Sequence, residues 1–263
     1  MNLDISLPSK IVLGSVQFYS PYGITNYLKK KVSQTEIKKI LYFFKNNNIH
    51  EIDTSYHYPL NLNYLPKLKN SKWAINTKIP LDEKFINLKY LTNYIKKKFV
   101  KKNFSKVNIL YIHEDVEKDN KVFKKIYKNF VALKRKKIIN KVGISIYNFK
   151  TAKELVKKYK IDSIQLPYNA LDRRFHFYQK FFLKNKIEIY ARSVFLQGVL
   201  ISKDNLGKLK TLKNKFNLLF DRNKISSINY CLNFVNQNKN IQKMIIGFQN
   251  LNQISEIFNG FKY

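Results

Sequence analysis

The sequence predicts an α/β fold, a single (β/α)8 barrel of the TIM type. Short runs rich in Ile, Val and Tyr alternate along the chain with segments in which apolar residues recur at helical spacing. The alternation gives eight strand–helix units, and a barrel of this kind usually needs about 250 residues. No linker rich in Pro, Gly or Ser interrupts the pattern, so we expect residues 1–263 to form one domain.

Eight short apolar runs bounded by polar residues are predicted to be strands. We expect them to be parallel, because a helical segment separates each run from the next. In chain order the predicted strands span residues 10–14, 49–53, 73–78, 107–113, 141–145, 163–166, 187–190 and 244–247.

Several segments between the strands carry apolar stripes that predict amphipathic helices. The first stripe follows Ser33 and Glu36, whose spacing is that of a capping box. A stripe can also bind a partner protein, but covering a sheet explains all of them together. The stripes are Ile37, Ile40, Leu41 and Phe44; Leu88, Leu91, Ile95 and Phe99; and Val122, Ile126, Phe130 and Leu133.

The chain is strongly basic, with 50 Lys and Arg against 17 Asp and Glu and a net charge of +33. Such a charge is typical of proteins that bind nucleic acids. Here the basic residues recur on the polar side of nearly every predicted helix and do not form one arm or one recognition helix. We therefore expect a solvated basic surface and no specific nucleic-acid partner. A nucleic-acid binder built on the same fold is the alternative, and its binding would survive high salt.

The sequence also bears on the protein's compartment. No apolar run approaches 18 residues, so we expect no membrane span, and the first residues lack the pattern of a secretory signal. The single cysteine, Cys231, cannot form an internal disulfide and falls in a helical apolar phase, which predicts a small buried hydrophobic residue. We expect a cytoplasmic protein without a metal site. The oligomeric state is left open.

Four ionisable residues follow the predicted strands in a way that suggests catalysis. Asp53, Lys78 and His113 end three consecutive strands, and Tyr58 lies in the loop after the first of them. The carboxyl ends of the strands meet at one mouth of a barrel, so we expect these side chains to lie close together. The sequence therefore predicts an enzyme with a proton-transfer site.

Each of these residues also has a structural interpretation. Asp53 could cap the following turn, and His113 could be a hydrogen-bonded core histidine. Tyr56 lies in the same loop as Tyr58 and competes for the same role. Lys78 is the hardest to explain structurally, because it ends an apolar strand whereas most lysines fall on predicted helices.

The order of these residues resembles the aldo-keto reductases. The resemblance runs through Asp-Thr-Ser at 53–55 with Tyr58, Asn-Thr-Lys at 76–78 and Tyr-Ile-His at 111–113. It covers almost the whole chain, because further matching pieces lie at 13–18, 142–145, 165, 191–193 and 245–253. The segment 191–198 is similar to a branch associated with bacterial polysaccharide biosynthesis.

The resemblance implies NAD(P)H-dependent reduction of an aldehyde or ketone, with Tyr58 protonating the carbonyl oxygen. A free phenol has a pKa of about 10, which is high for proton transfer near neutrality. We expect the ammonium of Lys78, held by Asp53, to lower that pKa. His113 would be a neutral donor to the carbonyl oxygen.

The resemblance also implies an extended cofactor across the barrel mouth, since no Gly-x-Gly-x-x-Gly follows a strand. The high positive charge favours NADPH, with NADH as the alternative. The residues implied in binding it are Gly14 and Ser15 after the first strand, Ser145 and Gln165 at the carboxamide, Arg192 at the nicotinamide ring, Ser193, Leu196 and Gly198 along the pyrophosphate, and Gly247, Gln249, Gln253 and Glu256 around the adenosine.

The substrate site is expected to hold a sugar or another small polar carbonyl compound. Phe18, Tyr22 and Tyr147 could form aromatic walls and Glu114 a polar one, although ordinary packing also explains the aromatic residues. The chain departs from the family pattern at Pro59, Ile146 and Arg192. These departures keep open a barrel that binds the cofactor with weak catalysis and serves as a regulatory or partner-binding protein.

Overall fold

A computed structural model describes residues 9–24, 29–67, 73–99, 107–113, 120–201 and 226–258, together with residues 210, 211, 214, 216 and 218. Eight parallel strands in these residues close into a barrel in sequence order, with β8 paired to β1. The predicted fold class is therefore confirmed. That residues 1–263 form one domain stays a prediction. The strands are β1 (Ile11–Gly14), β2 (Glu51–Asp53), β3 (Ala74–Pro80), β4 (Val107–His113), β5 (Ile139–Ser145), β6 (Ser163–Pro167), β7 (Glu188–Arg192) and β8 (Lys243–Gly247).

Helices follow the strands around the outside of the barrel. The α-helices are α1 (Val16–Tyr19), α2 (Gln34–Asn46), α3 (Leu88–Phe99), α4 (Asn120–Arg135), α5 (Phe149–Lys158), α6 (Gln179–Lys184), α7 (Ser227–Asn236) and α8 (Leu251–Phe258). Short 3-10 helices lie at Leu62–Tyr64, Glu83–Ile86, His176–Tyr178 and Leu196–Gly198. In the part of the chain that the structure describes, no helix has the length and apolar character needed to cross a bilayer.

The predicted capping box at the start of α2 forms only in part. The Ser33 hydroxyl accepts a hydrogen bond from the Glu36 N–H at 3.2 Å, as expected for an N-cap. The Glu36 carboxylate, however, accepts from the N–H of Leu251 at 2.9 Å. Glu36 therefore ties α2 to the first turn of α8, a contact between residues far apart in sequence that no local pattern could indicate.

The predicted apolar stripes lie in one large core between the strands and the helices. Every member of the three stripes is buried except Leu88, which is partly buried against the same core. Cys231 is fully buried, and burial raises the pKa of its thiol to about 12. The prediction of a small buried hydrophobic residue is confirmed.

A second, smaller apolar cluster fills the interior of the barrel. It contains Val12, Ile109, Tyr111 and Tyr190, with Ile245 packed against it. Gly143 makes room for this cluster, because a Cβ at that position would overlap the buried Tyr111 ring. Successive inward side chains on a strand are two residues apart. On β1, β4, β7 and β8 the next inward positions towards the carboxyl ends are therefore Gly14, His113, Arg192 and Gly247.

The predicted strand-end residues lie at or near the carboxyl ends of all eight strands. In strand order they are Gly14, Asp53, Lys78, His113, Ser145, Gln165, Arg192 and Gly247. Because the barrel is closed, eight separate stretches of sequence deliver these residues to one mouth. The fold thus converts a pattern spread over more than 200 residues into a single site.

Candidate active site

The centre of the mouth is a buried ion pair between β2 and β3. The Lys78 Nζ lies 2.5 Å from the Asp53 Oδ2, and the two side chains are 3% and 5% exposed. Lys78 also donates to the Thr54 carbonyl at 3.0 Å. The remaining Asp53 oxygen, Oδ1, accepts from the Gln165 Nε2 at 2.8 Å. Both carboxylate oxygens are therefore hydrogen-bonded, which is what a buried charge requires.

Tyr58 lies in a loop fixed by one threonine. The Thr54 hydroxyl donates to the Tyr58 carbonyl at 2.8 Å and accepts from the Leu60 N–H at 3.1 Å. The loop places the Tyr58 ring so that its centre lies 5.6 Å from the Lys78 Nζ. The proline that follows Tyr58 is compatible with this arrangement, because Pro59 has no N–H to satisfy.

Tyr56, the competing tyrosine, points elsewhere. Its ring contacts Phe85 and Tyr94, with ring centres 5.5 Å and 5.4 Å away, and the Lys84 ammonium lies 4.8 Å from its centre. Tyr58 lines the cleft at the barrel mouth, whereas Tyr56 is absent from the described cleft wall. The structure therefore separates two tyrosines that the sequence places two residues apart.

The expected lowering of the Tyr58 pKa by Lys78 is wrong for this structure. Burial of the hydroxyl, followed by the nearby Asp53 carboxylate, raises the pKa of Tyr58 well above its ordinary value. The Lys78 charge is largely offset by Asp53 at 2.5 Å. In addition, burial lowers the pKa of Lys78 itself. Tyr58 is consequently a fully protonated phenol near neutral pH.

His113 is held as a neutral imidazole. Burial, followed by the positive charges of Lys78 and Arg192, lowers its pKa to about 4. The His57 ring lies 6.5 Å away, centre to centre. A neutral imidazole can donate one hydrogen bond without adding a charge to the site. This agrees with the neutral donor expected from the sequence.

The cleft above these groups has a volume of about 370 Å³. Predicted residues that line it are Gly14, Ser15, Tyr22, Asp53, Tyr58, Lys78, His113, Tyr147, Gln165, Arg192, Ser193, Gly198, Gly247, Gln249 and Gln253. These include all four proposed catalytic residues and most of those implied for the cofactor. The cleft is therefore continuous from the Tyr58 end to the first turns of α8.

Four predicted residues do not line this cleft, and one lies outside the described residues. Phe18 is buried in the large core, and Glu256 is exposed on α8. Ser145 is buried behind Gln165, to whose Oε1 its hydroxyl donates at 3.5 Å. Leu196 packs partly against the large core, with a φ of 47°. Glu114 is the residue outside the described ranges.

Gln165 has contacts within the protein besides the place at the carboxamide that the resemblance implies, which stays a prediction. Its amide nitrogen donates to Asp53, so it is already engaged with the ion pair. The partner lies 112 residues away in sequence, and only the closed barrel brings the two together. Gln165 is thus a support for Asp53, and its Oε1 faces Ser145.

Sequence reasoning missed several residues of the cleft wall. Two of them had a usable signal: Ile245 is two positions before Gly247 on β8, and Ile257 is four positions after Gln253 on α8. Of the others, Ile246 is on β8, Val16 and Gln17 are on the short α1, and the rest lie in the connections after β1 and β7. The missed residues are Val16, Gln17, Gly23, Val194, Phe195, Gln197, Ile201, Ile245, Ile246 and Ile257.

One rim of the cleft is built by the loop after β7. Ser193 and Gln197 have φ values of 58° and 56°, and Gly198 has 95°, so the loop turns tightly through the left-handed region. The Gln197 carbonyl accepts from the N–H of Ile24 at 3.0 Å, which joins this loop to the loop after β1. Gly23 permits the contact, because a Cβ there would lie 3.2 Å from the Gln197 oxygen.

Several polar atoms in the cleft wall are buried without a hydrogen-bond partner among the described residues. They are the Ser15 Oγ, the Gln17 Oε1, and the Nε and Nη2 of Arg192. Gly247 leaves the space that the Gln17 amide occupies, since a Cβ on Gly247 would overlap it. Buried polar groups are normally hydrogen-bonded, so an extended polar ligand fits this wall. The described residues contain no cluster of three or more metal-binding side chains.

Comparison with known proteins identifies the family. The aldo/keto reductase family model matches residues 10–263, and the chain therefore belongs to this family of oxidoreductases that act on carbonyl compounds. The holo form of aldo-keto reductase AKR11C1 from Bacillus halodurans is similar with a TM-score of 0.74 and 16% identity, covering 99% of this chain and 90% of that one. Its apo form gives a TM-score of 0.71 and 18% identity, over 88% and 82% of the two chains. These likenesses show the fold. No curated protein is similar enough to count as a match.

Proposed function

We propose that this protein reduces an aldehyde or ketone with NADPH, with Tyr58 as the proton donor. One observation carries the proposal: Tyr58 lines the same cleft as the buried Asp53–Lys78 pair and the neutral His113. An acid, a cation, an anion that holds the cation and a neutral donor are the groups that this reaction needs.

The residues of the cleft wall fit a nicotinamide dinucleotide, which when bound would supply the hydride. Ser15 and Gln17 bring polar atoms without a hydrogen-bond partner among the described residues to the cleft wall. Gln249 and Gln253 would lie at the adenosine end, where the Gln249 N–H already donates to the Gln253 Oε1 at 2.8 Å. The holo form of the Bacillus halodurans relative supports binding of a cofactor. The net charge of +33 supports NADPH, the more anionic form, over NADH.

The chain's own residues would carry the proton step. Because burial keeps Tyr58 protonated, its hydroxyl is ready to donate to the carbonyl oxygen when that oxygen gains negative charge. The Lys78 ammonium, 5.6 Å from the ring centre, would then stabilise the phenolate that remains. Asp53 holds Lys78 in place, and Gln165 holds Asp53. His113 would hydrogen-bond the same carbonyl oxygen and orient it.

The substrate we propose is a small polar carbonyl compound, with Tyr22 and Tyr147 as walls of its pocket. Both rings line the cleft at the Tyr58 end. The similarity of residues 191–198 to the polysaccharide-associated branch supports a sugar-like carbonyl. We also propose that residues 1–263 act as one domain and that the protein is cytoplasmic, which its single buried Cys231 supports.

A fluorescence titration tests the cofactor part of the proposal. Wild-type protein is titrated with NADPH and, in parallel, with NADH at about 0.5 M salt, which suppresses nonspecific attraction to the basic surface. We expect saturable micromolar binding with preference for NADPH. Gln17→Ala should weaken NADPH binding by about 3- to 10-fold, the usual worth of one hydrogen bond. The exposed Gln34→Ala should bind as wild type does. No saturable binding of either nucleotide would contradict the proposal.

His113 gives a prediction for pH dependence. Since its pKa is about 4, we expect kcat/KM to stay level from about pH 8 down to about pH 5.5. Unfolded histidine has a pKa of about 6.5 and binds a proton first, so folding loses stability as the pH falls from about 6.5 towards 4. His113→Gln should lack this loss, which chemical denaturation at a series of pH values would measure. A kinetic decrease centred near pH 6.5 would show instead that His113 titrates as a free imidazole.

A further inference from the structure

Arg192 is a charged residue of the cleft that the proposed proton step does not use, and the resemblance places it only near the nicotinamide ring. It is the last residue of β7, and its guanidinium lies flat against the Tyr147 ring, with the Cζ 3.9 Å from the ring centre. Stacking of this kind fixes the plane of the guanidinium and the direction of its N–H groups. The Nε and Nη2 are buried and have no hydrogen-bond partner among the described residues.

The charge of Arg192 also lacks a counter-charge in the described cleft wall. Among the described lining residues the one carboxylate is Asp53, and its oxygens are engaged by Lys78 and Gln165. Burying the N–H groups of a guanidinium away from water, without an anion or another acceptor beside them, costs free energy. A ligand that brings a negative oxygen to Arg192 would recover that cost.

Arg192 lies at the reacting end of the cleft. The positive charge of Arg192 acts to lower the pKa values of Tyr58, Lys78 and His113, although burial is the largest influence on each of them. Its stacking partner Tyr147, like Tyr22, belongs to the proposed substrate pocket. Arg192 is thus close to the groups that would act on the carbonyl.

We infer that Arg192 binds an oxyanion carried by the carbonyl substrate, so that the preferred substrates are aldehydes or ketones bearing a carboxylate or phosphate group. The inference rests on the proposed function and names the substrate class of the same site. The edge of the guanidinium that carries Nε and Nη2 matches the two oxygens of either group, and the side chain must shift to bring this buried edge to the ligand. A neutral substrate of the same size leaves those donors unpaired, and a site built for a hydrogen bond discriminates strongly against a ligand that lacks it.

Matched substrate pairs test the inference. One pair is 4-carboxybenzaldehyde and benzaldehyde, and the other is glyceraldehyde 3-phosphate and glyceraldehyde; kcat/KM is measured with NADPH for each at about 0.5 M salt. Wild type should prefer the anionic member of at least one pair by about tenfold or more, and the pair that shows the preference distinguishes carboxylate from phosphate. Arg192→Met should lose about 30- to 100-fold in kcat/KM for the anionic substrate, mostly through KM, and less than about threefold for the neutral one. Arg135→Met, at an exposed site on α4, should match wild type with both.

Three outcomes would overturn the inference. Equal losses for the anionic and neutral members in Arg192→Met would place Arg192 at the reacting carbonyl. A parallel loss of NADPH affinity in the fluorescence titration would assign it to the cofactor. A wild-type preference for the neutral members would remove the anion site altogether.

A binding measurement keeps the inference separate from the proposed function. Calorimetry with benzoate and with benzyl alcohol, at the same salt, reports the anion site without turnover. Benzoate binding that is saturable in wild type and absent in Arg192→Met would support the site even if no carbonyl were reduced, in which case the reductase proposal alone would fail. Absence of benzoate and inorganic phosphate binding in wild type, together with no anionic preference in turnover, would refute the inference while leaving the reductase intact.

Discussion

Replacing Tyr58 by phenylalanine should lower kcat by about 10²- to 10⁴-fold, the range that a positioned general acid contributes. The change removes one hydroxyl from a loop whose shape is set by Thr54 and not by that hydroxyl. We therefore expect the fold and the affinity for NADPH to stay close to wild type. Steady-state kinetics with a carbonyl substrate and a parallel NADPH titration measure the two effects.

Tyr56→Phe is the matched control for this change. It removes the hydroxyl group of a tyrosine two residues earlier in the chain. That ring packs against Phe85 and Tyr94 and is not part of the described cleft wall. This variant should turn over as wild type does. If turnover were retained in Tyr58→Phe and lost in Tyr56→Phe, the proton donor would be Tyr56.

Replacing Lys78 by methionine should cost about 3–5 kcal/mol of the free energy of unfolding, because it leaves the buried Asp53 carboxylate without its partner. Turnover should fall as well, since the cation that stabilises the Tyr58 phenolate is gone. The double variant Asp53→Asn with Lys78→Met removes both charges, and it should recover much of the stability but not the activity. Denaturant unfolding of the three proteins, with kinetics, measures both effects.

An ion pair on the surface, with the same N–O distance, is the control for the effect of burial on the cost of losing the lysine. Lys84 and Asp82 are also 2.5 Å apart, but their side chains are 35% and 38% exposed. Lys84→Met should cost about 0–1 kcal/mol. Equal costs for Lys78→Met and Lys84→Met would show that burial of the Asp53–Lys78 pair does not matter.

The pH dependence of Lys78→Met has a definite sign. Without Lys78, the buried Asp53 carboxylate has no ammonium to balance its charge, and binding a proton is the remaining way to remove that charge. Protonation stabilises the folded variant at low pH, and this stabilisation is lost as the pH rises and the buried charge returns. The stability deficit of Lys78→Met relative to wild type should therefore be larger at pH 8 than at pH 4. A deficit independent of pH would mean that Asp53 finds another partner in the variant.

The fold could be predicted from the sequence because each of its elements carries a local signal. Strand runs such as 107–113 match the observed β4 residue for residue, and the stripes of α2, α3 and α4 lie in the core. The catalytic candidates could be predicted for the same reason, since strand ends in a barrel lie at one mouth. Asp53, Lys78 and His113 needed only the positions of three strands, although β3 continues to Pro80 and Lys78 therefore lies two residues before its end.

The details that failed depend on contacts between distant residues. The pKa of Tyr58 is set by burial and by Asp53, and the depth of the cleft has no sequence signal. The Asp53 carboxylate that Gln165 contacts lies 112 residues earlier in the chain, and only the closed barrel brings the two side chains together. Gln17 is a cleft residue because the connection after β1 turns its side chain towards Gly247 on β8.

The central claim, that this barrel reduces a carbonyl with a nicotinamide cofactor, is tested most directly by the oxidation of NADPH in the presence of carbonyl compounds. The measurement follows the absorbance of the reduced nicotinamide with purified wild-type protein and a panel of anionic and neutral aldehydes. We predict saturable, carbonyl-dependent consumption of NADPH that disappears in Tyr58→Phe. Saturable NADPH binding without consumption across the panel would contradict the claim and leave a barrel that holds the cofactor without using it.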